Sequence, residues 1–414
     1  MMRSMFAGVS GLRSHQIMMD VVGNNIANVN TVGFKASRVL FQDALSQMIR
    51  GSSGGTGEAT AGVNPQQVGL GVKIASTDTL FAQGGSQLTG RSTDVAIQGD
   101  GFFATRVGNE TLYTRSGAFT FDQQGFLTDS SGGVVQGWIA DPNGAISTTS
   151  PVQDIQIPIG KSIAPVPSTT VRMGGNLSVD ALVTDPPVLN AIDVIDALGS
   201  KQRVSFEFTK TGPNAWDMEV LDPTGASIGT TGLTFDPSTG ALTAPAVPPS
   251  FTFTPTSGAA NLTFTVDFSG GNGAPPLTQF GGTSDAAAVS QDGSGLGLLR
   301  AFAISDDGIL SAVFSNGRSQ AMARLGLASF TNPGGLIRAG DSRFRASNGS
   351  GQALIGPTGS AGRGTMSAGT LEMSNVELAQ EFTNLIVAQR GFQANSRIIT
   401  TSDEILQELV NLKR

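Results

Sequence analysis

Residues 373–414 read MSNVELAQEFTNLIVAQRGFQANSRIITTSDEILQELVNLKR, and within them Leu378, Leu385, Phe392, Ile399 and Leu406 recur every seven residues, with Phe382 and Val410 on the same face. A seven-residue apolar repeat held over this length is the signature of a long helix with one apolar seam. Ser374 and Glu377 have the spacing of a capping box, and Met373 and Leu378 sit at staple positions. Lys413 and Arg414 place positive charge where the helix dipole favours it. At 1.5 Å per residue the rod is roughly 55 Å long, more than a small domain can cover, so the seam needs partners. The intermediate row is partly polar (Gln389, Ser396, Asp403). A bundle sharing the seam therefore fits better than a two-stranded coiled coil over the whole length, with a buried core helix as the plainer reading.

The other end of the sequence supplies a partner. Met5, Leu12, Met19 and Ile26 also recur every seven residues, with Val9 and Val22 beside them, which predicts a second amphipathic helix. Gly8, Gly11 and Gly23 weaken it in isolation by up to about 1 kcal/mol each, so it is expected to order on packing. If the two ends pair, everything between them is one long excursion.

Several classes drop out. Gly8 and Gly11, followed closely by Arg13, His15 and Asp20, interrupt any secretory apolar core, and no window reaches the eighteen or more apolar residues of a membrane span. Without cysteine there is neither a disulfide framework nor a thiolate metal site. A net charge of -7 argues against nucleic acid as a partner. Glycine at 55 of 414 residues and charged residues at 14%, against about 25% in ordinary domains, suit a turn-rich β protein with much self-contacting surface.

Between the ends the order is legible. An Asn and Gly cluster at residues 23–33 should end the first helix. Phe41, Ala44, Leu45 and Met48 follow helical spacing and predict a short second helix. Residues 51–62, GSSGGTGEATAG, read as a flexible linker. From about Val68, short β-rich runs alternate with Gly, Asn and Asp turns; Gly99-Asp100-Gly101 reads as a strand turn rather than a phosphate loop. From about Ala145 the composition shifts to Pro, Ser and Thr, and VSFEFTK, AWDMEV, FTFTP and LTFTVDF predict an antiparallel sandwich or barrel, with Pro245, Pro248, Pro249 and Pro255 confining some strands to edges. The β pattern then resumes at about residue 283. The expected fold is multidomain α+β: coiled-coil-like paired terminal helices (1–69 and 361–414), a discontinuous inner β-domain (70–145 and 283–360) and an outer β-domain (146–282), the two mainly antiparallel β domains nested as insertions.

Residues 24–38, NNIANVNTVGFKASR, resemble the N-terminal signature of the flagellar rod and hook proteins, carried by Asn24, Asn25, Asn28, Asn30, Thr31, Gly33, Phe34 and Lys35. Residues 374–414 resemble the C-terminal signature of that family, and residues 83–103, 113–127 and 301–330 resemble its inner β-domain. The resemblance implies a structural subunit of the hook type. Its terminal helices would form the innermost layer of a hollow, flexible tube that transmits torque from rod to filament and through which later subunits pass. Met5, Val9, Leu12, Met19, Ile26, Leu378, Phe382, Leu385, Phe392, Ile399, Leu406 and Val410 would form the assembly seam. The implied partners are further copies of itself, the distal rod protein, the hook cap and hook-filament junction proteins, and the flagellar type III export apparatus, which needs no cleaved signal; neither nucleic acid nor membrane insertion is implied. Phe41-Gln-Asp-Ala-Leu45 matches the F-x-x-x-apolar pattern by which early flagellar substrates dock at the export gate, although the same two residues fit the core face of the short helix. A distal rod subunit is the alternative, favoured by the long stretch 46–68 and disfavoured by the outer β insert; a junction protein is usually longer.

Chemistry is thinly supplied. His15 is the sole histidine, which leaves no Ser-His-Asp or Cys-His device and no two-His metal site. No P-loop or EF-hand spacing occurs. The 32 carboxylates leave a glycosidase-like pair open in principle, so a secreted glycan-acting enzyme is the reading of another class. The expectation is a protein with no cofactor and no catalytic site.

Overall fold

The computed structural model describes residues 2–52, 62–157, 160, 162–271 and 273–412. Most of the expected linker 51–62, together with Lys413 and Arg414, lies outside the described residues. The chain divides into two compact units, one built from Met1–Pro158, Phe302–Ser311 and Ala321–Arg414, the other from Ile159–Ala301 and Ala312–Gln320. The fold is α+β, with two long helices at the ends of the sequence and β structure between them.

In the first unit, helix α1 (Met2–Ala27) packs along helix α2 (Leu378–Asn411). Helix α1 ends in the Asn cluster: the Asn28 N–H donates to the carbonyls of Asn24 and Asn25, and the Asn28 side chain donates to the Asn24 carbonyl at 2.9 Å. Helix α2 starts later than the capping-box spacing predicts. Glu377 is its N-cap and makes no side-chain cap hydrogen bond, while the Ser374 hydroxyl accepts the Val376 N–H at 3.3 Å before the helix begins. The reason is tertiary. Asn375 is held in an irregular stretch by the Ala36 N–H at 2.8 Å and by the Leu80 and Ala82 carbonyls, which keeps residues 374–376 from helical geometry.

The predicted second helix over Phe41–Met48 is a strand instead. Ser37–Asp43 pairs antiparallel with Val72–Thr79, and Ser46–Arg50 pairs with Gln66–Gly69. The Ala44 N–H to Gly71 carbonyl and Leu70 N–H to Leu45 carbonyl bonds bridge the two pairings into one ribbon. A short apolar run carries helical and extended spacing equally well, and here the complementary strand at 66–79 decides.

The β body of the first unit is antiparallel. Phe102–Val107 forms a hairpin with Glu110–Thr114 and also pairs with Val134–Ile139 and Leu327–Ser329; Arg343–Arg345 extends the sheet from Glu110–Thr114. Phe102, Ala104, Tyr113, Ala328, Phe330, Leu336 and Phe344 make one core, in which Phe102 meets Phe81, Phe330 and Phe344 edge-on at 5.4–5.9 Å between ring centroids. Burying each such ring contributes about 1.5–3 kcal/mol. Gly99 and Gly101, both at positive φ, turn the chain between Val95–Gln98 and Phe102–Val107, as a strand turn requires. The sequence returns to this body before α2: Thr365–Ala368 pairs with Val95–Gln98, and Thr370–Glu372 with Ser86–Leu88.

The second unit is a sandwich. One sheet is a meander of Val188–Ile195, Lys201–Gly212, Ala215–Leu221, Ser227–Phe235 and Leu242–Ala244. Its strands alternate buried and exposed residues, placing Val204, Phe206, Phe208, Trp216, Met218 and Val220 in the core with Phe251 and Phe264. The strands flanked by Pro245 and Pro249, Leu242–Ala244 and Ser250–Phe253, lie at sheet edges. The second sheet is mixed rather than purely antiparallel, because Thr170–Ser178 runs parallel to both Leu262–Asp267 and Leu277–Phe280. The whole meander intervenes between these strands, a connection long enough for parallel pairing.

Candidate functional site

The two end helices meet through small residues. Gly8, Gly11 and Ser14 of α1 are buried, as are Ala388 and Ser402 of α2. A Cβ at Gly11 would stand 2.7 Å from Asn395 Oδ1, and a Cβ at Gly391 would collide with the His15 ring. The glycines that weaken α1 as an isolated helix thus let its backbone approach α2. Against the ribbon, the Ser10 hydroxyl of α1 accepts the Val72 N–H at 3.2 Å.

This close packing leaves much apolar surface uncovered. Of the twelve residues predicted for the seam, Met5, Leu12, Met19, Ile26, Leu385, Phe392, Ile399 and Leu406 are half-buried, whereas Val9, Leu378, Phe382 and Val410 are exposed. Phe382 is 51% exposed and Ile386, one turn on, 57%. Phe6 and Ile17 on α1, and Val387, Ile398 and Ile405 on α2, are exposed as well. At roughly 100° per residue, Val387, Ile398 and Ile405 fall within about 20° of one another on the helix. The buried contact occupies one stripe, and apolar side chains flank it.

The Asn-rich segment after α1 holds the helix to the β body. Asn25 is buried; its amide donates to the Ser37 carbonyl at 2.7 Å and its Oδ1 accepts the Ser37 N–H at 3.0 Å. Thr31 donates to Asn28 Oδ1 at 3.0 Å. Gly33 has φ +68, donates its N–H to the Glu372 carbonyl at 2.8 Å, and lies so close to Ser116 that a Cβ does not fit. Phe34 is buried, with the Arg338 guanidinium 5.0 Å above its ring. Asn24 and Asn30 are exposed. Lys35 is fully buried: Nζ donates to Glu372 Oε1 at 2.6 Å and to the Ala82 carbonyl at 2.8 Å. The other Glu372 oxygen faces Arg115 at 3.4 Å, and the Gly84 N–H donates to Oε1 at 3.0 Å. Burial pulls the Lys35 ammonium below the usual lysine range despite Glu372, and pulls Arg115 down likewise.

Phe41 is 42% exposed, with its ring 5.5 Å from that of His15, and Leu45 is 69% exposed beyond the strand's end. Because the segment is extended, they do not share a helical face. Sequence reasoning missed Arg115, Glu372, Asn375 and Gly391. The one available signal was Lys35 itself, a charge in the apolar run Val32-Gly33-Phe34-Lys35-Ala36. Among the described residues no group of three or more His, Cys, Asp or Glu is placed to hold a metal ion, and no helix is long and apolar enough to cross a membrane.

A β-rich body with paired end helices and an Asn-Gly-Lys joint is the architecture of a flagellar axial protein, and four family models match in that order. They are flagella basal body rod protein over residues 5–35, flagellar hook protein FlgE/F/G D1 domain over 96–179, flagellar basal body protein FlaE D2 domain over 188–294, and flagellar basal body rod FlgEFG protein C-terminal over 367–412. The flagellar hook protein FlgE of Borreliella burgdorferi is 40% identical over 445 residues, covering 100% of both chains, and that of Escherichia coli is 34% identical with 98% of each chain covered. The flagellar basal-body rod protein FlgG of Bacillus subtilis is 32% identical, again over 100% of both. The chain belongs to the flagellar hook protein family.

Proposed function

We propose that this chain is the structural subunit of a bacterial flagellar hook, polymerising through its end helices into a hollow, flexible tube between rod and filament. One observation carries the reading: the helix pair buries a stripe of small residues and leaves Phe382, Ile386, Val387, Ile398 and Ile405 in the open, a surface that further copies would cover. A contact between unlike faces that does not close on itself builds a filament rather than a ring. On this reading residues 1–69 with 361–414 form the innermost layer, 70–145 with 283–360 the middle and 146–282 the outer layer; the separate family models over 96–179 and 188–294 support two distinct β-domains, with their changeover after residue 179 rather than at 145. The partners are the distal rod protein below, the hook cap and junction proteins above, and the type III export apparatus, with Phe41 and Leu45 as the docking residues. The distal rod is the second reading, supported by the ribbon formed over residues 37–50 and 66–79.

Negative-stain microscopy of purified, concentrated protein tests the assignment. A curved hollow tube is expected; straight stiff polymers would favour the rod, and a protein that stays monomeric at every concentration would overturn both.

A further inference from the structure

At the joint between the two ends of the sequence, a buried lysine amine and a half-buried carboxamide share one carbonyl, and a buried carboxylate holds the amine. Lys35 Nζ and Asn375 Nδ2 both donate to the Ala82 carbonyl oxygen, at 2.8 and 3.1 Å. Sharing one acceptor oxygen holds the lysine amine and the Asn375 amide nitrogen no more than about 6 Å apart. Glu372 Oε1 lies 2.6 Å from the same amine. The Asn375 Oδ1 accepts the N–H of Ala36, the residue after Lys35, at 2.8 Å, and its amide nitrogen is held by the Leu80 carbonyl as well.

We propose that Lys35 and Asn375 join in an intramolecular isopeptide bond, with Glu372 carrying the proton. Glu372 accepts a proton from the Lys35 ammonium, and the freed amine attacks Asn375 Cγ. The carbonyl π electrons move to Oδ1, where the Ala36 N–H, already aimed at that oxygen, stabilises the developing oxyanion. Glu372 then passes its proton to the amide nitrogen and takes the surplus proton from the attacking lysine nitrogen; the Cγ–Nδ2 bond breaks, ammonia leaves, and Glu372 is left protonated until it exchanges with solvent. One N–C bond forms, one breaks, and no oxidant or outside reactant is needed. Burial disposes the pair to this chemistry, because desolvation favours the neutral, nucleophilic amine, and Glu372 is within general-base reach.

Lys35 follows α1, and Asn375 sits three residues before α2 begins. The bond would therefore close the whole β excursion into one covalent loop at the root of both helices. A subunit exported as an unfolded chain would form it only after folding, since only the fold brings the two residues together. The resulting linkage lies where a torque-bearing tube hands load from its helices to its β body.

Intact mass spectrometry of the purified, folded full-length chain, denatured before measurement, tests this directly. The expected mass is lower than the sequence mass by one molecule of ammonia. Trypsin should fail to cut after Lys35 and should yield residues 14–38 covalently joined to residues 364–390. Lys35→Arg and Asn375→Ala chains should each show the full sequence mass. A folded wild-type chain of full mass, with free peptides 14–35 and 364–390, would overturn the proposal. So would loss of ammonia mapping to a succinimide at an Asn-Gly pair such as Asn143-Gly144. Because the wild-type chain alone decides, poor folding of a variant leaves no ambiguity.

Discussion

The ring of His15 in helix α1 fills the space that a side chain at Gly391 of helix α2 would need. Gly391→Ala should therefore weaken the helix pair, since overpacking costs about 1–3 kcal/mol and outweighs the gain of up to about 1 kcal/mol in helix propensity. The sign should reverse in a His15→Ala background, where the space is free and only the propensity gain remains. Thermal melts followed by far-UV circular dichroism for the four chains of this cycle would show the reversal. An additive pair would mean that the two residues do not meet.

Phe382 and Ile386 present an apolar edge that the chain leaves more than half exposed. The paired change Phe382→Asp with Ile386→Asp should leave the melting of the β units nearly unchanged, as exposed substitutions fall within about 0.5 kcal/mol. Polymerisation should fail, because each charge would have to be desolvated between subunits. Sedimentation of the concentrated variant beside the wild type is the readout, and normal polymer would remove this edge from the interface.

The heptads of α1 and α2 and the Asn cluster between α1 and the ribbon were legible because their signals are local: a period, or a residue type bonding its own backbone. The manner of helix packing was not. Gly8 and Gly11 are a weakness by propensity, and only the partner helix makes them an asset. The ribbon at Phe41 was misread because i, i+3, i+4 spacing in a short apolar run arises by coincidence as readily as by design. Lys35 and Glu372 lie 337 residues apart, and no local pattern announces a pairing at that separation. The parallel strands beside Thr170–Ser178 depend on the same kind of long-range closure.

Glu372 is the carboxylate that pairs with both Lys35 and Arg115. Glu372→Gln would remove the proton carrier for the proposed Lys35–Asn375 linkage, leave Lys35 and Arg115 as unpaired buried cations, and destabilise the first unit by at least about 3–5 kcal/mol. The sandwich of the second unit has its own core and should melt as before. Calorimetry of the full chain should then show only the transition of the first unit moving down. A single unshifted transition would mean that water reaches the cluster.

Asp154 accepts from the Arg106 guanidinium, which holds its carboxyl below the usual 3.8. A carboxylate with a depressed folded pKa adds stability above its unfolded value and loses it as pH falls through the folded value. Wild type should therefore lose stability below about pH 3.8, the ordinary value for this group. Asp154→Asn should be less stable at neutral pH and should lack this part of the acid slope. Melting temperatures of both chains across the acid range would show the curves converging as pH falls, and parallel curves would rule the pair out as a contributor.

On the proposed export route the gate would meet Phe41 and Leu45 in an unfolded chain, in which neither strand nor helix exists. In the folded subunit Leu45 is largely exposed and Phe41 half so, with the His15 ring as its aromatic neighbour. Truncating them should cost the fold little, well below the 2–5 kcal/mol of a core deletion. Phe41→Ala with Leu45→Ala therefore separates docking from structure better than a change at a core position could. The expected result is normal accumulation in the cytoplasm with secretion abolished, measured by immunoblot of cells and medium. A purely structural role predicts the reverse, with subunits in the medium at wild-type levels that fail to assemble, and that outcome would refute the docking assignment.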